Sequence, residues 1–202
     1  MSQITFFFGV MSASKTASLL MTKYKYDSLG FNTVLIKPAE DNRSGVDNVA
    51  SRIGLKGKAD LIITKDMSDE DIASALDSFS HPAGRDVENE TIYLIDEAQF
   101  LSPRAVGVIV AQAYFYEAKV FSYGLLKDFQ NKLFDGSQAW IEHASSLQEI
   151  KTTCSVPGCG RKATHNLRLL DGYPVYTGEQ ILIGDSEYLS VCAEHYYNYK
   201  GA

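Results

Sequence analysis

A chain of 202 residues with 45% hydrophobic side chains is long enough for one domain of ordinary size and a smaller one, each around a buried core. Its 19 Lys and Arg against 25 Asp and Glu leave a formal net charge of −6, which disfavours broad electrostatic capture of a polyanion such as DNA but allows a local pocket for a small phosphate. No stretch approaches a membrane span, and no basic segment precedes the short apolar run Phe6-Phe7-Phe8, so a soluble, cytoplasmic protein with neither nucleic-acid nor membrane partner is expected. Three cysteines cannot all pair within one chain, and metal ligation or simple burial accounts for them better than disulfides do.

Ile4 to Phe8 is continuously apolar or β-prone, as a parallel strand buried on both faces requires, and Gly9 ends it where the chain must turn. Four residues later comes Ser14-Lys15-Thr16, the spacing of a phosphate-binding loop with serine in place of the second glycine. In such loops backbone N–H groups cradle phosphate oxygens, the lysine reaches the β- and γ-phosphates, and the hydroxyl holds Mg²⁺. Leu19, Leu20, Tyr24 and Leu29 then recur near helical spacing, with Gly30 placed as a C-terminal cap. Thr33 to Ile36 is the next apolar run, so the chain up to Pro38 reads strand, loop, helix, strand, the unit of a parallel sheet.

Ala39 to Lys58 is polar and rich in Gly, Asn and Asp, and reads as a long surface loop. Leu61 to Ile63 is a short strand, and Ser68-Asp69-Glu70-Asp71 forms a capping box for a helix through Ile72, Ala75, Leu76 and Phe79. Ser80 to Glu90 reads as linker. Thr91 to Ile95 is the clearest buried strand, and it runs directly into Asp96-Glu97-Ala98-Gln99-Phe100, at the strand end where ligands bind in open α/β sheets. Ser102-Pro103 opens a helix through Val106, Ile109, Val110 and Ala113, and Lys119 to Tyr123 is a further strand closed by Gly124. Leu125 to Trp140 mixes aromatic and polar residues without clean periodicity, and its aromatics line a site or simply fill core. From Cys154 the short runs Leu167–Leu170, Gln180–Ile183 and Tyr188–Val191, separated by Gly, Pro and Asp, describe a small β-rich module.

Two constellations carry chemistry. Lys15 and Thr16 at one strand end with Asp96 at another supply the charge neutralisation and metal ligation that phosphoryl transfer needs, since a parallel sheet can bring such ends side by side. Glu97, next to Asp96, is placed either to accept the proton of an attacking hydroxyl or to serve as an outlying acid. Cys154-x4-Cys159 with Cys192-x2-His195 uses every cysteine, and it has the spacing of a closed Cys₃His site for structural Zn²⁺, with three buried thiols as the plainer alternative. A lobe of that length lacks the core to stand without a staple.

Order and spacing together resemble the type II thymidine kinases of bacteria, animals and some DNA viruses. The resemblance rests on Gly9 to Thr16, Lys37-Pro38-Ala39 with Asp41-Asn42-Arg43, Ser51-Arg52-Ile53-Gly54, Asp96 to Phe100, Tyr123-Gly124-Leu125 with Asp128-Phe129 and Leu133-Phe134, and Ile183-Gly184 leading to Tyr188 and Ser190-Val191-Cys192. It implies an α/β fold, a P-loop NTPase-like parallel β-sheet flanked by helices over residues 1–150, and a zinc-binding β-rich lobe over 151–202 whose loop lies over the nucleoside. The implied reaction moves the γ-phosphate of ATP to the 5′-hydroxyl of thymidine, with Glu97 as the general base. ATP and Mg²⁺ would be held by Gly9, Ser12, Ala13, Ser14, Lys15, Thr16, Asp41, Arg43, Asp96 and Gln99. Thymidine would meet Met11, Phe100, Phe129, Phe134, Ile183 and Tyr188, and Zn²⁺ would sit on Cys154, Cys159, Cys192 and His195. Members of the family are commonly homotetramers inhibited by the end product dTTP. Ser14 departs from the family's glycine; if that position needs unusual backbone angles, Ser14→Gly should tighten ATP binding. Two readings of other classes stay open on sequence: a nucleotide-binding regulator without turnover, and an interaction module built on the zinc lobe.

Overall fold

The computed structural model describes residues 3–41, 45, 47–80, 90–180 and 187–199. In chain order the elements are β1 (Ile4–Phe8), α1 (Lys15–Ser28), β2 (Asn32–Pro38), β3 (Asn48–Ala50), β4 (Lys56–Lys58), β5 (Leu61–Ile63), α2 (Asp69–Ser80), β6 (Thr91–Ile95), α3 (Pro103–Phe115) and β7 (Lys119–Gly124). These are followed by α4 (Asp135–His143), β8 (Ser146–Glu149), β9 (His165–Leu170), β10 (Tyr173–Val175), β11 (Glu187–Val191) and the short α5 (Ala193–Tyr197). Six strands form one sheet in the order β5-β2-β6-β7-β1-β8, every pairing parallel.

Successive residues of a strand face opposite sides, and the sheet's two apolar clusters follow that alternation. Val34, Ile36, Tyr93 and Ile95 join Ile4 and Phe6 under α2, α3 and α4, whereas Leu35, Ile92 and Leu94 face the other way toward Leu19 and Leu20 of α1. Phe7 stacks on Tyr123 on that second face, ring centroids 4.5 Å apart. The result is a three-layer arrangement that covers both faces, as all-parallel sheets require. The capping box at α2 forms as expected: Ser68 Oγ accepts from the Asp71 N–H and the Asp71 carboxylate accepts from the Ser68 N–H. Ser102 likewise caps α3 by accepting from Ala105 N–H, with Pro103 at the first helical position.

Several sequence expectations are corrected. In α1, Leu19 and Leu20 are buried but Tyr24 and Leu29 are exposed, so only half of that periodic set faces the core. The described part of Ala39–Lys58 is not a plain loop, because β3 and β4 pair there as an antiparallel hairpin. Leu125–Trp140 contains most of α4, whose buried face is built from Gly136, Ser137, Ala139 and Trp140 and therefore gives no apolar periodicity. Polar β8 adds an edge strand that the apolar-run criterion overlooks, and β10 adds another in the lobe. Most of the linker read at Ser80–Glu90 and most of the run Gln180–Ile183 lie outside the described residues.

The C-terminal lobe is a three-stranded antiparallel sheet in the order β10-β9-β11 with α5 against it. No helix among the described residues is long and apolar enough to cross a membrane.

Candidate active site

The phosphate loop connects β1 to α1. Its entry is tight because a Cβ on Gly9 would stand 2.6 Å from the Ile150 carbonyl oxygen. Ser12 and Ser14 both take φ 59, in the left-handed region that L residues avoid. Ser14 is the N-cap of α1 yet makes no side-chain cap hydrogen bond, so its backbone shape rather than its hydroxyl sets the helix start. The buried Lys15 curls back over the loop and donates to the Val10 carbonyl at 2.9 Å.

Thr16, one residue further, points its hydroxyl at Asp96, 3.2 and 3.1 Å from the two carboxylate oxygens. β1 and β6 are not neighbours, since β7 lies between them, and the Thr16 side chain closes that gap. Burial, and then the adjacent Glu97 carboxylate, push Asp96 up to about 7 against the Thr16 hydrogen bond, with Asp41 adding to the push. A hydroxyl and a buried carboxylate under strain from like charge make an oxygen-only donor set that fits Mg²⁺.

Glu97 itself takes φ 47 and ψ 39, a strained backbone held at the strand end by its neighbours. Gln99 Nε2 donates to Glu97 Oε2 at 2.6 Å while its Oε1 accepts from the Leu125 N–H at 2.9 Å. Gln99, expected among the ATP contacts, lies against the Glu97 carboxylate. Gly124 makes room for it, for a Cβ there would stand 2.8 Å from Gln99 Oε1.

These groups open into a cleft of about 300 Å³ lined by Met11, Ser12, Ser14, Lys15, Thr16, Asp41, Arg52, Asp96, Glu97 and Leu125, among others. Gly9 and Ala13 are buried beneath the loop rather than among those lining residues. The expected nucleoside residues fall into three groups. Met11 lines this cleft; Phe100 and Phe134 meet edge to face and line a second cavity of about 240 Å³ with Gln99 and Gln180; Phe129 and Tyr188 are joined by Arg168. Arg43 and Ile183 lie outside the described residues.

Sequence reading missed Arg168 and Asn166 and gave Ser190 no role. Arg168 is buried with its guanidinium 3.6 Å from the Phe129 ring centroid, donating to the Tyr188 hydroxyl and to the Glu179 and Gln180 carbonyls. An arginine inside the apolar run Leu167-Arg168-Leu169 was the available signal. Asn166 Oδ1 accepts from Met11 N–H at 2.8 Å and the Ser190 hydroxyl donates to the Met11 carbonyl, so two lobe strands grip both backbone groups of a phosphate-loop residue.

Cys154, Cys159, Cys192 and His195 converge, their ligand atoms all within 4.8 Å of one another. His195 Nδ1 lies 3.3 Å from the Cys154 sulfur and 3.5 Å from that of Cys192. Burial raises the Cys192 thiol, but hydrogen bonds from the His195 backbone, Arg161, Cys159 and Cys154 outweigh it and bring the group down to about 7. A thiol eased toward thiolate in a Cys₃His cluster is consistent with zinc.

With this geometry established, the sequence pattern of thymidine kinases matches residues 2–196. The chain belongs to the thymidine kinase family. Thymidine kinases from Lactobacillus acidophilus and Lactococcus lactis are 40% and 38% identical to it, each alignment covering 98% of both chains. The thymidine kinase of Enterobacteria phage T4 is 38% identical over 97% of this chain and 96% of its own. Among solved structures, a Pif1 helicase from Candida albicans overlaps 74% of this chain and 36% of its own at 14% identity, with a TM-score of 0.41, too slight an overlap to inform the site. Family membership makes this chain an ATP-using kinase of thymidine.

Proposed function

We propose that Glu97 is the general base of the thymidine kinase reaction: it accepts the proton of the thymidine 5′-hydroxyl as that oxygen attacks the γ-phosphorus of ATP and ADP leaves. The observation that carries this reading is the meeting of Thr16 and Asp96 with Glu97 beside them, its carboxylate held by Gln99. Proton acceptance and charge neutralisation are what phosphoryl transfer asks of a protein. Lys15 exchanges the Val10 carbonyl for the β- and γ-phosphates, and the loop from Gly9 through Ser12, Ala13 and Ser14 gives its N–H groups to them. Thr16 and Asp96, with Asp41 in the same cleft, would hold Mg²⁺, which when bound neutralises phosphate charge, and the resemblance assigns Arg43 to the triphosphate rather than the metal. Gln99 acts on ATP only indirectly, by orienting Glu97.

The resemblance assigns Met11, Phe100, Phe129, Phe134, Tyr188 and Ile183 to the thymine ring, and a largely apolar set with few polar readers suits a neutral pyrimidine. Residues 1–150 form the nucleotide-binding domain and 151–202 the lobe, whose Cys154, Cys159, Cys192 and His195 hold a structural Zn²⁺. The family resemblance supports a cytoplasmic homotetramer that also accepts deoxyuridine and is inhibited by dTTP.

The experiment is direct. Purified protein with ATP and Mg²⁺ should convert thymidine to its monophosphate with one ADP formed per turnover, and deoxyuridine should follow more slowly. No turnover on any deoxynucleoside in the panel would contradict the reading.

A further inference from the structure

The cleft has a second wall that the steps above leave unused, the β3–β4 hairpin. It is seated firmly: a Cβ on Gly57 would stand 2.9 Å from Leu20 and 3.2 Å from Leu35, and Val49 is buried in the same apolar cluster as both. Its root is held by Lys37, a fully buried lysine that donates to the Asn48 carbonyl at 3.0 Å and to that of Gly45 at 3.2 Å, and pairs with Asp41 at 3.5 Å. Its tip is a tight turn in which Ser51 N–H donates to the Leu55 carbonyl at 2.8 Å and Leu55 N–H donates to Ser51 Oγ at 3.0 Å. Gly54, at φ 90, closes the turn by donating to the Ser51 carbonyl. This frame carries Arg52 to the phosphate loop, where Nη1 donates to Ser12 Oγ at 2.6 Å.

Charge in the cleft gives Arg52 a task. Among the described lining residues the cations are Lys15 and Arg52, beside the acids Asp41, Asp96 and Glu97, of which Asp41 also pairs with the buried Lys37. ATP brings roughly four further negative charges, of which one Mg²⁺ offsets two. A guanidinium has five donors in a planar fork, suited to phosphate oxygens, and its bond to a neutral hydroxyl is weaker than a charge-assisted one. We propose that Arg52 is a phosphate-binding residue of the active site, which exchanges Ser12 for the terminal phosphates of ATP and stabilises the charge that moves with the γ-phosphoryl group. Lys15 grips the phosphates from the loop side and Arg52 from the hairpin side. The proposal rests on the reading of this cleft as the ATP site.

The test compares wild type, Arg52→Ala and Arg52→Lys, with Lys58→Ala as a control for charge on the same hairpin. Calorimetry of the full zinc-loaded chain with Mg²⁺ and ATP, ADP or AMP separates a phosphate contact from a structural one. Arg52→Ala should weaken ATP about tenfold, ADP less and AMP not at all. It should also lower kcat by about a hundredfold, with thymidine KM little changed. Arg52→Lys should recover part of the loss, millimolar guanidinium should partly rescue Arg52→Ala, and Lys58→Ala should behave as wild type. Equal weakening of all three nucleotides with a lowered melting temperature, or no weakening with unchanged kcat, would overturn the proposal by making Arg52 a hairpin tether. A wild type that binds none of the three would overturn the ATP-site reading as well.

Discussion

The parallel sheet and the C-terminal lobe serve one active site from cores of unequal size. The sheet buries apolar residues on both faces, from Ile4 and Leu35 to Trp140. The lobe's buried cluster consists of Cys154, Leu167, Leu169, Val191, Cys192 and Tyr196, and two of those six belong to the Cys/His quartet. Burial at about 25 cal/mol per Å² cannot hold so small a set against chain entropy, so the Cys/His quartet is part of the lobe's core rather than an addition to it. The lobe in turn grips Met11 of the β1–α1 loop through Asn166 and Ser190, so a weakness in the small core reaches the cleft that Met11 lines.

The largest effect is expected from removing the Zn²⁺ proposed for the quartet. Chelation should abolish amide-exchange protection in β9 to β11 and lower kcat/KM by at least about tenfold, because a closed Cys₃His site supplies folding energy outright. Trp140, the only tryptophan, is fully buried under the sheet and donates to the Ala98 carbonyl, so its emission should stay unshifted. Emission that shifts in step with the lobe would show a single cooperative unit instead.

The sheet side should break through packing. A Cβ on Gly136 would stand 2.4 Å from the Leu101 carbonyl oxygen and 2.7 Å from that of Gln99, both backbone atoms with little freedom to yield. Gly136→Ala should cost about 1–3 kcal/mol in urea melts followed by Trp140, and should lower kcat through the displaced Gln99. Melts that match wild type would show that α4 slides without cost.

Asp96 gives a smaller, pH-dependent effect. Its folded value, about 7, lies above the ordinary carboxylate value, so the folded state favours the protonated form. That contribution is full below about pH 4 and is lost as pH rises through about 7. Without divalent cations, Asp96→Asn should therefore gain stability relative to wild type above pH 7, and the gain should vanish toward pH 4. A difference that does not vary with pH would exclude the burial argument.

The smallest change expected is at Ser14. Its left-handed backbone, φ 59 and ψ 28, is where glycine removes a penalty of about 1 kcal/mol. Ser14→Gly should tighten ATP a few-fold at most, and calorimetry that finds unchanged or weaker binding would show that the serine side chain is no obstacle.

What the sequence disclosed follows from the same physics. β1 and β6 were legible because strands buried on both faces are continuously apolar, and the residues at their ends inherit a known position. α4 was hidden because its buried face pairs Trp140 with Gly136 and Ser137, and β8 because an edge strand of Ser, Leu, Gln and Glu carries no apolar signal. Arg168 and Asn166 were missed because polar residues are buried through partners distant in sequence. Asn166 reaches a residue 155 positions away, which no local pattern can announce.

The proposed base is Glu97, held by Gln99 beside the Thr16–Asp96 pair proposed to take Mg²⁺. Single-turnover transfer of labelled γ-phosphate from ATP to thymidine tests it most directly, run on wild type and Glu97→Gln alongside ATP affinity. The expected result is a rate lower by about 10³-fold with ATP binding within about threefold of wild type. A Glu97→Gln protein that transfers phosphate at close to the wild-type rate would contradict the account.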